Sequence, residues 1–282
     1  MQTVKTKQKV QNTVKAWKQD GKTVALVATM GNLHEGHLKL VDYALQHADK
    51  VVVSIFVNPT QFGKNEDIDN YPRTLEHDSA QLAERKADLL FAPEVSEIYV
   101  ANTGLETQVI VPELSDVLCG EFRPGHFVGV TTVVAKLFNI VLPDVAIFGK
   151  KDFQQLFLIN KMVADLDFPV KVMGVETMRE DDGLAMSSRN TYLTEEQRKL
   201  APILYQTLTS VSKNLLDTKV NLREQEQYAA KILEKSGLLA EYVSIRRVTD
   251  LQPAGSDDRE LVILAAVKCG KARLIDNITL NI

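Results

Sequence analysis

The stretch VALVATMGNLHEGHLKLV, residues 24–41, limits the fold more than any other part of the chain. Val24–Ala28 is short, apolar and rich in β-branched residues, which predicts a buried strand. Leu38, Val41, Leu45 and Ala48 then recur at helical spacing. A strand passing through a tight glycine-bearing turn into a helix is the first half of a βα unit, and such units build parallel sheets covered by helices. The turn holds two of the chain's five histidines, His34 and His37, interleaved with Gly31 and Gly36. A helix start carries unpaired N–H groups and the positive end of the dipole, so it attracts anions. Imidazoles at i and i+3 project from one side of the first turn and add donors there.

Several readings compete for this pair from the residues alone. A metal pair needs further ligands, and no His/Cys cluster accompanies it. The spacing Gly31-x4-Gly36 mimics a phosphate loop, but His37-Leu38 stands where Lys-Ser/Thr belongs. The histidines also suit plain helix capping. The remaining reading is a nucleotide triphosphate site in which they donate to phosphates where charge builds up.

The rest of the chain continues the alternation. Strands are expected at Val51–Val57, Leu89–Phe91, Thr107–Val111 and Asp144–Phe148. Helices are expected at Val4–Lys18, Gly36–Ala48, Leu75–Lys86, Phe127–Val141 and Phe153–Leu166. In parallel sheets, ligands sit beyond the carboxyl ends of the strands, and the loops Met30–His37, Asn58–Arg73 and Gly149–Asp152 all follow strand ends. A further strand at Pro169–Thr177 leads into a polar loop holding Met186-Ser187-Ser188-Arg189-Asn190. Thr194 and Gln197 have capping-box spacing. Helices over Glu195–Leu216 and Leu222–Lys235 then precede strands at Tyr242–Arg247, Leu261–Val267 and Arg273–Leu280 in a small antiparallel sheet. The expected domains are 1–176, an α/β parallel sheet with helices on both faces, and 177–282, a smaller α+β domain.

At 282 residues, 45% hydrophobic and 25% charged, the chain has the composition of a soluble globular enzyme. A net charge of −4 argues against nucleic acid as the principal partner. No apolar run reaches the ~20 residues of a membrane span. The polar, basic N-terminus does not read as a signal peptide, and Cys119 and Cys269 form no CxxC pattern, so a reducing cytoplasm is expected.

Individually, the remaining motifs are weak. Asn58 and Gln61 both donate and accept, Gly149 permits a close backbone approach, and Lys150 or Lys151 suits a phosphate. Asp152 suits a ribose hydroxyl or magnesium. Ser187, Ser188 and Arg189 suit a phosphate clamp on a closing loop. Arg123, in RPGHF, suits a carboxylate or phosphate.

Together they are specific. The His-x-Gly-His turn with the later Met-Ser-Ser-Arg loop resembles the HIGH and KMSKS signatures of Rossmann-like nucleotidyl-transferring enzymes. TMGNLHEGH, FVNPTQFG, YPRT, RPGHF, FGKKDFQQ and MSSRN stand in the order found in the pantothenate synthetase (pantoate–β-alanine ligase) family, over about residues 23–194. The chain departs from that family at Ala28, where Pro is common, and at Lys150, where Glu or Gln is frequent. The resemblance implies ATP-dependent joining of pantoate to β-alanine through a pantoyl-adenylate, by a cytoplasmic homodimer using ATP with Mg2+. It implies ATP contacts from Met30, Gly31, Asn32, Leu33, His34, Glu35, Gly36 and His37. Gly149, Lys150, Lys151, Asp152, Met178, Met186, Ser187, Ser188 and Arg189 are implied to complete that set. His37, His34 and Lys151 are the implied catalytic residues, Gln61 and Gln155 the implied pantoate contacts, and a protein ligand for magnesium is unknown. Two other readings remain: a nucleotidyltransferase or small aminoacyl-tRNA synthetase-like enzyme, and a nucleotide-binding regulator without catalysis.

Overall fold

The strand at Gln2–Val4 (β1) precedes a helix at Lys7–Gln19 (α1) whose Thr6 cap accepts from the Lys9 N–H. In the computed structural model, the described residues are 1–63, 68, 71–99, 107–217 and 220–282. Six strands form one parallel sheet. After β1 come β2 (Val24–Thr29), β3 (Lys50–Ile55), β4 (Leu89–Phe91), β5 (Val145–Gly149) and β6 (Lys171–Val175), in the spatial order β1-β4-β3-β2-β5-β6. Helices α2 (Glu35–His47), α3 (Leu75–Glu84), α4 (Val95–Ile98), α5 (Cys119–Phe122), α6 (His126–Val141) and α7 (Phe153–Asp165) connect them.

Strand residues alternate between two cores, as the period of two requires. Leu26, Val52, Phe91 and Phe148 face α1, α6 and α7 on one side. Val27, Val53, Leu90 and Ile147 face α2 and α3 on the other. From β2 the chain winds outward through β3 and β4, and from β5 it winds the opposite way to β6. The order therefore reverses between the neighbours β2 and β5, registered as Val27 opposite Ile147. In such sheets the crevice at the carboxyl ends of the two strands where winding reverses is the place for a ligand.

By its contacts the chain divides into two units, Met1–Lys150 with Gln155–Glu176, and Lys151–Gln154 with Thr177–Ile282. The second holds helices α8 (Glu195–Leu200), α9 (Ile203–Asp217) and α10 (Leu222–Lys235). They cover an antiparallel sheet of β7 (Leu239–Arg247), β8 (Glu260–Cys269) and β9 (Ala272–Asn281), in that order.

Three expectations need correction. Thr107–Val111 is not a strand: the Val109 N–H donates to Thr132 Oγ1 at 2.9 Å, and its carbonyl accepts from Thr131 Oγ1 at 2.6 Å. Side chains of α6 thus do what a neighbouring strand would do. The single helix over Glu195–Leu216 breaks at Pro202, which has no N–H to continue the ladder. The first helix begins at Lys7, because Gln2–Val4 pairs with β4 instead.

Candidate active site

The turn after β2 is built from two left-handed residues, Gly31 at φ +83° and Asn32 at φ +51°. They swing the N–H groups of Asn32 and Leu33 in the same direction, onto the carboxylate of Asp78 at 2.9 Å each. Thr74, from the YPRT motif, adds its hydroxyl at 3.1 Å. Successive N–H groups in such a turn make an anion nest, and its occupant here is the fully buried Asp78 on α3. A Cβ on Gly31 would meet Asp78 Oδ2 at 3.1 Å and Ile55 at 3.0 Å, so the turn admits only glycine there without moving that carboxylate.

His34 is the N-cap of α2. Its Nδ1 accepts from the Gly36 N–H at 3.1 Å, and His37 Nδ1 accepts from the His34 N–H at 3.4 Å, a reciprocal capping box made of imidazoles. The rings lie 4.0 Å apart between centroids. A ring nitrogen that accepts carries no proton, so in this capping arrangement the ring proton belongs on Nε2. The N–H groups of His37 and Leu38 turn to the His34 carbonyl. The backbone of this helix start is thus largely satisfied internally, and Nε2 of each imidazole takes no part in the capping box. Capping uses the Nδ1 end of each ring. Glu35 pairs its carboxylate with Arg85 at 2.8 Å.

The loop after β3 is anchored by Asn58, 1% exposed. Its Oδ1 accepts from Thr60 Oγ1 and Tyr99 Oη, each at 2.9 Å, and its Nδ2 donates to the Gly129 carbonyl and to Gln61 Oε1. Because Gln61 Oε1 must accept from Asn58, its Nε2 is fixed as a donor, lying 3.0 Å from Met30 Sδ. The structure thereby joins Gln61, read with the pantoate contacts, to Met30, read with the ATP turn. Gly129 lets α6 approach, since a Cβ there would lie 2.4 Å from the Thr60 carbonyl. Arg123 donates to His126 Nε2 at 2.9 Å, so His126 Nδ1 carries the proton and donates to the Gln61 carbonyl at 2.8 Å. Of this loop, residues 64–67 and 69–70 lie outside the described residues.

Gly149 closes β5, across the reversal from β2. Lys150 pairs with Glu176, and Gln155, half-buried, stands in the first turn of α7. In the second unit the Lys151 carbonyl accepts from Asn277 Nδ2 at 2.9 Å, and Asp152 ends a short 3-10 turn. Met178 and Met186 face each other across a hairpin, with the Met186 N–H donating to the Met178 carbonyl at 2.9 Å. Ser187 caps the following turn by accepting from the Arg189 N–H, and Asn190 Nδ2 donates to the Ala185 carbonyl. At the hairpin tip, hydrogen bonding from Arg198 holds the Asp182 carboxyl below the usual carboxylate range. Residues that sequence reasoning missed are Asp78 and Asn277. Asp78 carried a signal, since Asp78 and Leu82 share the buried face of α3.

A family model described as pantoate–beta-alanine ligase matches residues 2–279. The chain belongs to the pantoate–beta-alanine ligase family. Within that family it is 50% identical over the full length of both chains to the pantothenate synthetase of Colwellia psychrerythraea. It is 51% identical to that of Alcanivorax borkumensis, covering 100% of this chain and 99% of the relative. The crystal structure of the Thermus thermophilus pantothenate synthetase superposes with a TM-score of 0.92 at 43% identity, covering 99% of each chain. The Francisella tularensis pantoate–beta-alanine ligase, complexed with beta-gamma ATP and beta-alanine, superposes at 0.80 with 33% identity, covering 99% of this chain and 97% of that one. Ligases of this family thus share the fold over both units.

Proposed function

We propose that the chain joins pantoate to β-alanine with ATP, forming pantothenate, AMP and pyrophosphate through a pantoyl-adenylate. The observation that carries this reading is the imidazole pair of fixed tautomer at the carboxyl end of β2, beside the winding reversal, in a member of this ligase family. A carboxylate is a poor acyl donor because oxide leaves badly. In the first step a pantoate carboxylate oxygen attacks the α-phosphorus, the bond to the bridging oxygen breaks, and pyrophosphate departs with the electron pair. Charge grows on the departing group, where preorganised donors act most strongly; the Nε2–H groups of His34 and His37 are assigned that task, with His37 the principal acid. In the second step the β-alanine amine attacks the acyl carbon, loses a proton, and expels AMP.

The assignments by residue follow the same logic. Met30–His37, Gly149 and Lys150 are assigned to ATP. Lys151, Asp152, Met178 and Met186–Arg189 are assigned to ATP as well, with Lys151 neutralising phosphate charge. Gln61, whose amide orientation Asn58 dictates, donates Nε2–H to a pantoate oxygen, and Gln155 holds the rest of pantoate. Mg2+ arrives as the counter-ion of ATP in this reading. No helix among the described residues is long and apolar enough to cross a membrane. The cytoplasm and a homodimeric state are adopted from the resemblance.

The deciding assay is pyrophosphate release from ATP across a panel of small hydroxy acids without β-alanine. Release that requires pantoate carries the reading, and release indifferent to the acid overturns it. Gln61→Ala should weaken pantoate use far more than ATP binding, because a site built to pair substrate oxygens discriminates strongly when unmatched. Equal losses for both substrates would move Gln61 out of the pantoate pocket. Nucleotide is also expected to slow amide exchange across Met186–Asn190; identical exchange with and without ATP would make that loop scaffold.

A further inference from the structure

A strand lying with one face on a core should carry apolar residues at alternate positions. Strand β9 does so at Ala272, Leu274, Ile278 and Leu280, but the position between Leu274 and Ile278 is Asp276, 3% exposed. A buried carboxylate needs compensation. Arg179 supplies it with two bonds, Nη1 to Oδ2 at 2.6 Å and Nη2 to Oδ1 at 2.9 Å, and the Asn277 N–H adds a third at 2.8 Å. The guanidinium also donates to the Gly183 carbonyl at 3.1 Å and lies 3.6 Å from the centroid of the Tyr205 ring. Gly183 sits at φ +93°, and a Cβ there would lie 2.8 Å from that ring. The Arg179 side chain is therefore held from several directions.

A buried ion pair is a poor source of net stability, since apolar residues of similar volume often serve as well or better. What this one fixes is position. Arg179 lies in the first strand of the hairpin whose return strand delivers Met186 and then Ser187–Arg189. The next residue on β9, Asn277, 8% exposed, uses its side chain to hold the Lys151 carbonyl at 2.9 Å. Adjacent residues of one strand thus hold the two segments of the second unit that are assigned to the nucleotide.

We infer that Asp276 and Asn277 are positioning residues for adenylation, fixing the Lys151 turn and the Met178–Met186 hairpin in mutual register before ATP binds. The inference rests on the assignment of Lys151 and Ser187–Arg189 to ATP. Its physical content is preorganisation: a displacement of about 1 Å in a binding group is enough to slow chemistry by about 10²-fold.

The test is Asn277→Asp, which keeps the shape of the side chain and replaces a donor by an acceptor facing the Lys151 carbonyl. The expected result is a KM for ATP raised about tenfold or more and an unchanged KM for β-alanine. Amide exchange should quicken across residues 151–154, with unfolding still cooperative. Asp276→Asn should shift the ATP parameters in the same direction, with faster exchange at Met178–Met186. Unchanged ATP saturation overturns the inference, as does an equal loss in every kinetic parameter with a lowered melting temperature. If Asn277→Asp does not fold, Asn277→Ser, with a shorter neutral donor, is read by the same measurements. Lys151→Ala separates the two layers. If it raises the KM for ATP while Asn277→Asp does not, the clamp falls and the nucleotide assignment stands. If Lys151→Ala leaves ATP saturation unaltered, the assignment fails and the inference with it.

Discussion

His37→Ala, and to a similar degree His34→Ala, should slow pantoyl-adenylate formation by about 10²–10³-fold, the usual effect of removing one preorganised donor from developing charge. Each ring also caps α2, so each variant should in addition lose about 1 kcal/mol of stability. The two losses are separable. Asparagine is among the best N-cap residues, and His34→Asn would keep an acceptor for the Gly36 N–H while removing the Nε2–H. It should therefore recover most of the lost stability and little of the lost rate. Preformed pantoyl-adenylate should be consumed by all three variants with a smaller defect, because pyrophosphate has already departed. Single-turnover measurement of the two half-reactions decides the matter. Unimpaired adenylation with only a lower melting temperature would reduce the histidines to caps.

The opening turn was legible because several local rules coincide there: a β-branched run, glycine where the backbone must turn left-handed, and helical spacing immediately afterwards. The parallel sheet followed from repetition of the same pattern, and the three loops at the ends of β2, β3 and β5 followed from the sheet. Pairwise chemistry was not legible. Residue types alone do not say that the Asn58 amide fixes the orientation of Gln61 three residues on, and nothing local says that His126 bears on the Gln61 carbonyl, because that contact crosses from the loop to α6. Thr107–Val111 has the composition of a strand, but its backbone partners are threonine hydroxyls on α6. Asp78 and Asp276 were passed over for a common reason. A carboxylate reads as surface, and only its place in the buried register of α3 or β9 betrays it. Violations of local pattern of that kind are where functional geometry is expected.

Asp78 carries the second large effect. Its two oxygens accept from two backbone N–H groups and a hydroxyl, all directed at a side chain with no exposure to water. Asp78→Ala leaves those donors without a partner, at about 1–3 kcal/mol for each that stays buried, so a total loss of about 3 kcal/mol or more is expected. Asp78→Asn is the sharper experiment. The amide matches the carboxylate in shape but offers one acceptor oxygen, and its NH2 must face the N–H of either Asn32 or Leu33. A role limited to filling space would leave Asp78→Asn close to the parent. A role in holding the turn predicts most of the alanine defect, because Asn32 keeps its left-handed conformation only while its N–H is drawn toward the carboxylate. Released, the turn relaxes toward ordinary backbone and moves the histidine cap that follows it by two residues. The kinetic signature should then resemble that of the histidine variants, with adenylation slowed and use of preformed pantoyl-adenylate less affected, in a protein that still unfolds cooperatively in urea. An Asp78→Asn enzyme with parental adenylation rate at a temperature where it is fully folded would show that the turn keeps its geometry unaided.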